Sequence, residues 1–201
     1  MTTFEPHTEK DIVQLDLEVA AANSLLDKLD WSVKKCAKWM IGGNHEARYE
    51  RFRINAGMLL TVRRMKGFRT WHEEYNLLQR GWEFVEYGGH LQIGKCIFTH
   101  GWFVSGGSAK KMAECFPGRN VIFGHTHQHL IYGCMDERGL PIESESIGTL
   151  SRFDLSYLKG KPPINWIHSF CYIDMLDDGT FTKHYVRIID GKFVEYGKLF
   201  G

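Results

Sequence analysis

Val121-Ile122-Phe123-Gly124-His125-Thr126-His127 is the stretch on which the reading of this chain turns. Three apolar residues make a short buried strand, and the glycine after them lets the chain turn sharply. Two histidines follow, two positions apart. In extended chain such residues point to the same side. His125 and His127 are therefore expected to aim both imidazoles at one spot beyond the strand end. Imidazole is the commonest metal ligand among side chains, and open α/β sheets collect ligands outside the carboxyl ends of their strands. Taken alone, the pair reads equally well as a metal site and as two loop histidines.

The arrangement recurs twice upstream. The strand-like run Ala37-Lys38-Trp39-Met40-Ile41 ends in Gly42-Gly43-Asn44-His45-Glu46, and Cys96-Ile97-Phe98-Thr99 ends in His100-Gly101. Three strands thus each deliver Asn or His at a glycine-marked carboxyl end. One such match is cheap, but three in one chain are hard to explain as packing.

In that order, Gly43-Asn44-His45-Glu46, His100-Gly101 and Gly124-His125-Thr126-His127 resemble the later motifs of the calcineurin-like metallophosphoesterase superfamily. The tail looks like the versions carried by phages and prophages. The likeness runs from about Leu15 to the C-terminus. It implies an α/β/β/α sandwich in one domain over residues 1–201, here without the first strand or strands. It also implies a hydrolase acting on phosphate mono- or diesters at a pair of divalent ions about 3.5–4 Å apart. By the same resemblance Asn44, His100 and His125 bind one metal and His127 the other. His45 lies close to the substrate, protonating the leaving oxygen or holding the phosphate, and Glu46 orients His45. Arg48, two residues past that motif, is the expected substrate contact. Such ligands suit Mn, Fe, Zn or Ni better than Ca.

The family opens with D-x-H and G-D motifs, and this sequence contains neither. His127 is then the only matched ligand for its metal, so at least one ion is expected, against two in a complete family site. The first helix begins where a relative would have just finished its second motif. The expectation is a longer natural chain, with Met1 an internal methionine, and little or no phosphodiesterase activity in the 201-residue form. A second reading, of a different class, is a noncatalytic metal-binding or interaction protein with the same fold. An HNH nuclease fits poorly, because these histidines end separate strands instead of sharing one hairpin and helix.

Composition sets the broad class. The chain has 201 residues, 43% hydrophobic and 24% charged, which suits a globular domain. A net charge of +1 points to no partner by itself. Five scattered cysteines without a C-x-x-C argue against a disulfide framework or a zinc ribbon, and fit the cytoplasm. No apolar run approaches the roughly 20 residues of a membrane span. No membrane partner is expected, and the oligomeric state is not legible.

Thr8 is placed as the N-cap of an amphipathic helix whose stripe is Ile12, Leu15, Val19, Ala22, Leu26 and Leu29. Glu46 to about Gln79 reads as helical, broken near Gly67. It carries Arg48, Arg51, Arg53, Arg63, Arg64, Lys66 and Arg69, with Tyr49, Phe52 and Phe68 interleaved. This is either a solvated face or an electropositive wall for a phosphate-bearing substrate, with nucleic acid one candidate. Strands are expected at Glu83–Tyr87, Leu91–Thr99, Leu130–Cys134, Glu143–Gly148, Phe170–Leu176 and Phe181–Ile189, a helix at Ser108–Phe116, and a loop at Tyr157–Trp166. Asp177-Asp178-Gly179 reads as a hairpin turn. His7, His72, His90, His129, His168 and His184 fall outside the motifs and read as surface or core residues.

Overall fold

The computed structural model of the chain describes residues 9–58, 69–153 and 165–201. Thr8, the segment carrying Arg63, Arg64, Lys66 and Gly67, and most of the Tyr157–Trp166 loop lie outside the described residues. The fold is mixed α/β and forms two compact units, Met1–Tyr87 and Gly88–Gly201.

In the first unit, α1 (Glu9–Ser32) turns Val19, Ala22 and Leu26 inward, while Leu29 at the end of the expected stripe is 41% exposed. Strand β1 (Trp39–Ile41) pairs in parallel with β2 (Glu83–Val85), Met40 opposite Phe84. The helix α2 (Asn44–Met58) leaves directly from the end of β1. Between the strands, Gly42 is held close: a Cβ there would meet Trp71 Cζ2 at 3.2 Å and the Val85 carbonyl at 3.3 Å. The short α3 (Trp71–Glu74) opens with a capping box, Thr70 accepting from Glu73 N while Glu73 accepts from Thr70 N. Leu26, Trp71 and Leu77 form the buried cluster. The expected helix does not continue to Gln79. Residues 75–81 are turns, with Asn76 and Gly81 at positive φ.

The second unit is built on a five-stranded mixed sheet in the order β3-β4-β5-β7-β6. Its strands are β3 (His90–Ile93), β4 (Cys96–Thr99), β5 (Asn120–Phe123), β6 (His129–Met135) and β7 (Pro141–Ile147). The central strands β4, β5 and β7 run parallel, with Phe98, Ile122 and Glu145 in one row. Alternation along the strands divides the two faces. Ile97, Val121 and Phe123 pack against Ala109 and Met112 of α4 (Ser108–Cys115), which Pro117-Gly118 terminates. Glu145 takes the opposite face, where Lys183 of a separate hairpin meets it. That hairpin is β8 (Ser169–Met175) with β9 (Phe181–Arg187). Its turn is closed by Asp178 accepting from Thr180 N at 2.8 Å. A last hairpin, β10 (Phe193–Glu195) with β11 (Lys198–Phe200), was not expected from the sequence. Among the described residues no helix is long and apolar enough to cross a membrane.

Candidate functional site

The histidine corner belongs to the second unit. Because β4 and β5 are neighbours with Thr99 opposite Phe123, the residues that follow them leave the sheet side by side. Gly124 N donates to the His100 carbonyl at 3.1 Å, which fixes the two exits together. The His100 and His125 rings then meet, Nε2 of the first 3.1 Å from Nδ1 of the second. Two nitrogens bound to one ion at about 2.1 Å lie about 3.0 Å apart at right angles and about 3.4 Å apart at the tetrahedral angle. The observed spacing falls in that interval, so the pair fits two adjacent positions on one transition ion. Without an ion the same geometry is a hydrogen bond between the two rings, its direction set by their tautomers.

The backbone here is not the extended chain expected from the sequence. Thr126 N donates to the Gly124 carbonyl at 2.7 Å, closing a three-residue turn centred on His125, whose φ is +66°. Turns of that hand are rare and strained. His127 is also left-handed, with φ +58°. Alternation of side chains therefore fails, and the two rings have different neighbours. His125 faces His100, whereas His127 lies edge-on to Trp166, ring centres 4.2 Å apart. The strain is held from behind. Thr126 Oγ1 and Ser146 Oγ share a hydrogen bond at 2.6 Å, and the His127 carbonyl accepts from Ile167 N at 2.9 Å. Gly101 is pinned as well: it has φ +90°, and a Cβ would come within 2.8 Å of Phe123 Cδ2. Residues kept in sparsely populated conformations by such bracing cluster at functional sites.

Just behind the corner lies a polar network that sequence reasoning missed. His129 Nε2 contacts Glu145 Oε1 at 2.7 Å, and its ring stacks flat on Tyr185 at 3.7 Å. Glu145, 1% exposed, is also in contact with Lys183, which reaches Glu143 at 3.1 Å. Burial, then the Lys183 charge, pull the His129 imidazole below its ordinary pKa. A glutamate alternating with serines in β7 reads as surface strand. Its burial is offset by two partners distant in sequence, His129 on β6 and Lys183 on β9.

The remaining motif residues belong to the first unit. Asn44, His45 and Glu46 open α2, with Gly43 before them. Glu46 Oε2 accepts from Gly43 N at 2.8 Å, the half of a capping box that a third-position glutamate supplies. Among the described residues no hydrogen bond links Glu46 to the His45 ring. His45, Glu46 and Arg48 line a cleft of about 100 Å³ whose other walls include Tyr49, Phe52, Trp71 and Tyr75. The Tyr49 hydroxyl donates to Glu74 at 3.0 Å, and burial raises both the Tyr49 and Tyr75 phenols, Tyr75 to about 12. Of the other arginines on α2, Arg53 is paired with Glu50 at 2.8 Å. The capping box at Thr70 was the sequence signal that could have located Trp71 and Glu74.

Among the described residues no group of three or more His, Cys, Asp or Glu side chains is placed to hold a metal ion. The imidazole pair fits one ion; a second ion would have His127 alone, and the residues do not fit it. Compared with family profiles, with curated proteins and with solved structures, the chain matches none.

Proposed function

We propose that the chain is a calcineurin-like, metal-dependent phosphoesterase of the α/β/β/α type, with one transition ion held on His100 and His125. The observation that supports this best is the 3.1 Å approach of their ring nitrogens at the carboxyl ends of adjacent parallel strands. The family pattern adds Asn44 as a ligand and His45 as the group that donates a proton to the leaving oxygen or holds the phosphate. A bound divalent ion would polarise the phosphoryl oxygens. The residues of the corner contribute preorganisation: the braced turn at His125 holds its ring without further rearrangement. Arg48 and the basic segment beyond it are assigned to the anionic substrate, with nucleic acid one candidate.

A specific observation favours a second reading, a metal-binding or interaction protein without turnover. Among the described residues the corner offers a pair of imidazoles but no group of three or more His, Cys, Asp or Glu side chains placed to hold a metal ion. Elemental analysis after loading with Zn²⁺ or Mn²⁺, joined to hydrolysis of bis(p-nitrophenyl) phosphate, separates the two. The esterase reading and the metal-binding form of the second reading both require about one ion per chain, lost in His100→Ala and in His125→Ala. Turnover abolished by His45→Ala supports the esterase, and metal without turnover supports the second reading. Equal metal content in the parent and both histidine variants would overturn the proposed ligand pair.

A further inference from the structure

The imidazoles of the corner meet because the chain after β5 leaves the extended conformation, and two buried hydroxyl groups hold that turn. Ser146 lies on β7 beside Phe123, the last residue of β5. It is fully buried, and Thr126 is 7% exposed. Their oxygens are 2.6 Å apart. Further contacts reach both ends of the loop. Gln128 N donates to Thr126 Oγ1 at 3.2 Å, Thr126 Oγ1 lies 3.4 Å from the Gln128 carbonyl, and Ser146 Oγ lies 3.3 Å from the Gly124 carbonyl. If Thr126 donates to Ser146, the Ser146 proton goes to Gly124; if Ser146 donates, the Thr126 proton goes to Gln128. Both arrangements place every proton, as buried hydroxyls require. Both also tie residues 124–128 to β7, while the bond from Gly124 N to the His100 carbonyl ties them to the end of β4.

Stability alone does not call for this clasp. A glycine at position 125 would make the turn without strain, whereas a side chain at φ +66° resists it. The clasp thus holds, against its own preference, the residue whose ring meets His100. In extended chain the His125 ring would share a side with His127 instead. We propose that Thr126 and Ser146 are positioning residues, acting through the backbone of residues 124–128 to keep the His125 ring on His100. The proposal rests on the metal reading of that pair, and names what holds the pair ready before an ion arrives. Ser146 belongs to none of the sequence motifs and enters the site only through the pairing of β5 with β7.

Three variants of the whole chain test this. Thr126→Val keeps the shape of the side chain without its hydroxyl, Thr126→Ser keeps the hydroxyl without the methyl, and Ser146→Ala removes the partner. In the metal-free chain, magnetic cross-relaxation between the ring protons of His100 and His125 reports their contact, with ring centres 4.9 Å apart. Visible absorption during titration with Co²⁺ reports the affinity of the pair. The parent and Thr126→Ser should show the ring contact and equal cobalt affinity. Thr126→Val and Ser146→Ala should lose the contact and bind cobalt about tenfold more weakly, the lower end of the loss seen when groups that orient a metal ligand are removed. A role in stability alone would lower the melting temperature and leave both readouts unchanged in folded chain. If Thr126→Val proves unfolded by circular dichroism, Ser146→Ala decides. A ring contact or a cobalt affinity that stays at the parental value in a folded variant lacking either hydroxyl would overturn the positioning role alone. A parent chain that binds no cobalt would overturn the metal reading, and the proposal with it.

Discussion

Replacing Asp30 should destabilise the first unit more than replacing any other acid on α1, and the loss should carry a pH signature. Asp30 Oδ1 receives Lys38 Nζ at 2.5 Å and Trp82 Nε1 at 2.8 Å, while Oδ2 receives Arg80 Nη1 at 2.9 Å. It therefore fastens the end of α1 to the chain entering β1 and to the chain entering β2. The Lys38 ammonium first, with Trp82 and Arg80 after it and burial opposing, lowers the carboxyl to about 2. In unfolded chain it titrates near about 3.9. A carboxyl depressed in the fold contributes stability that is complete above the unfolded value and lost as pH falls through the folded one. The difference corresponds to on the order of 2 kcal/mol near neutrality. Among the described residues Asp30→Ala also removes the one carboxylate paired with Lys38 and one of the two paired with Arg80, and these side chains are only 12% and 15% exposed. The total cost should be about 2 to 3 kcal/mol, below that of a fully buried pair. Asp27 is the control: it too bridges Arg80, at 2.6 Å, but is 68% exposed, so Asp27→Ala should cost about 0 to 1 kcal/mol. Urea unfolding followed by tryptophan fluorescence suits the question, because Trp31, Trp39, Trp71 and Trp82, four of the six tryptophans, are in this unit. The gap between the parent and Asp30→Asn should narrow steadily from about pH 5 to about pH 2. A gap indifferent to pH, or an Asp30→Ala no worse than Asp27→Ala, would refute the reasoning.

His125→Gly should lose the metal yet keep or gain stability, by up to about 1 kcal/mol, because glycine relieves the left-handed strain at φ +66°; metal content and thermal melting together check it. Cys96 is fully buried, and burial pushes its thiol up to about 11, whereas Cys36 and Cys115 are exposed. A disulfide reagent at about pH 8 should therefore modify the latter two promptly and reach Cys96 only on unfolding, as mass spectrometry would show. Under the phosphoesterase reading, Arg63→Glu with Arg64→Glu should weaken binding of a labelled oligonucleotide and flatten its salt dependence in fluorescence anisotropy. Unchanged affinity across salt concentrations would mark that segment as a solvated face.

The elements legible in the sequence were those whose cause is local. Cys96–Thr99 and Val121–Phe123 are apolar runs bounded by turn residues. The helix from Ser108 stops where Pro117 cannot continue it. Asp178 and Gly179 make the turn between β8 and β9 by their own chemistry. Other features depend on partners distant in sequence. In the polar run Glu143-Ser144-Glu145-Ser146, buried from Ser144 onward, Lys183 and His129 meet Glu145 and Thr126 meets Ser146. The strands β10 and β11 are three residues long and leave Val194 and Leu199 exposed, so no alternation announces them. In the corner the residue types were readable and the backbone was not. Nothing local tells that His125 and His127, rather than the adjacent Gly124, take positive φ.

The strand pairing of the second unit also implies an order of events in folding. The pairs β3–β4, β6–β7 and β8–β9 join strands adjacent in sequence, so their closure is entropically cheap and early. The parallel pairs are different: β4 meets β5 only across α4, and β5 meets β7 only across β6. His100 and His125 stand at the open ends of the first of these. The imidazole pair therefore does not exist in a chain that has formed its hairpins alone. Under the proposed metal reading, capture of an ion by that pair would be a clock for the last, non-local stage of folding in this unit, and an ion present during refolding would accelerate nothing before that stage.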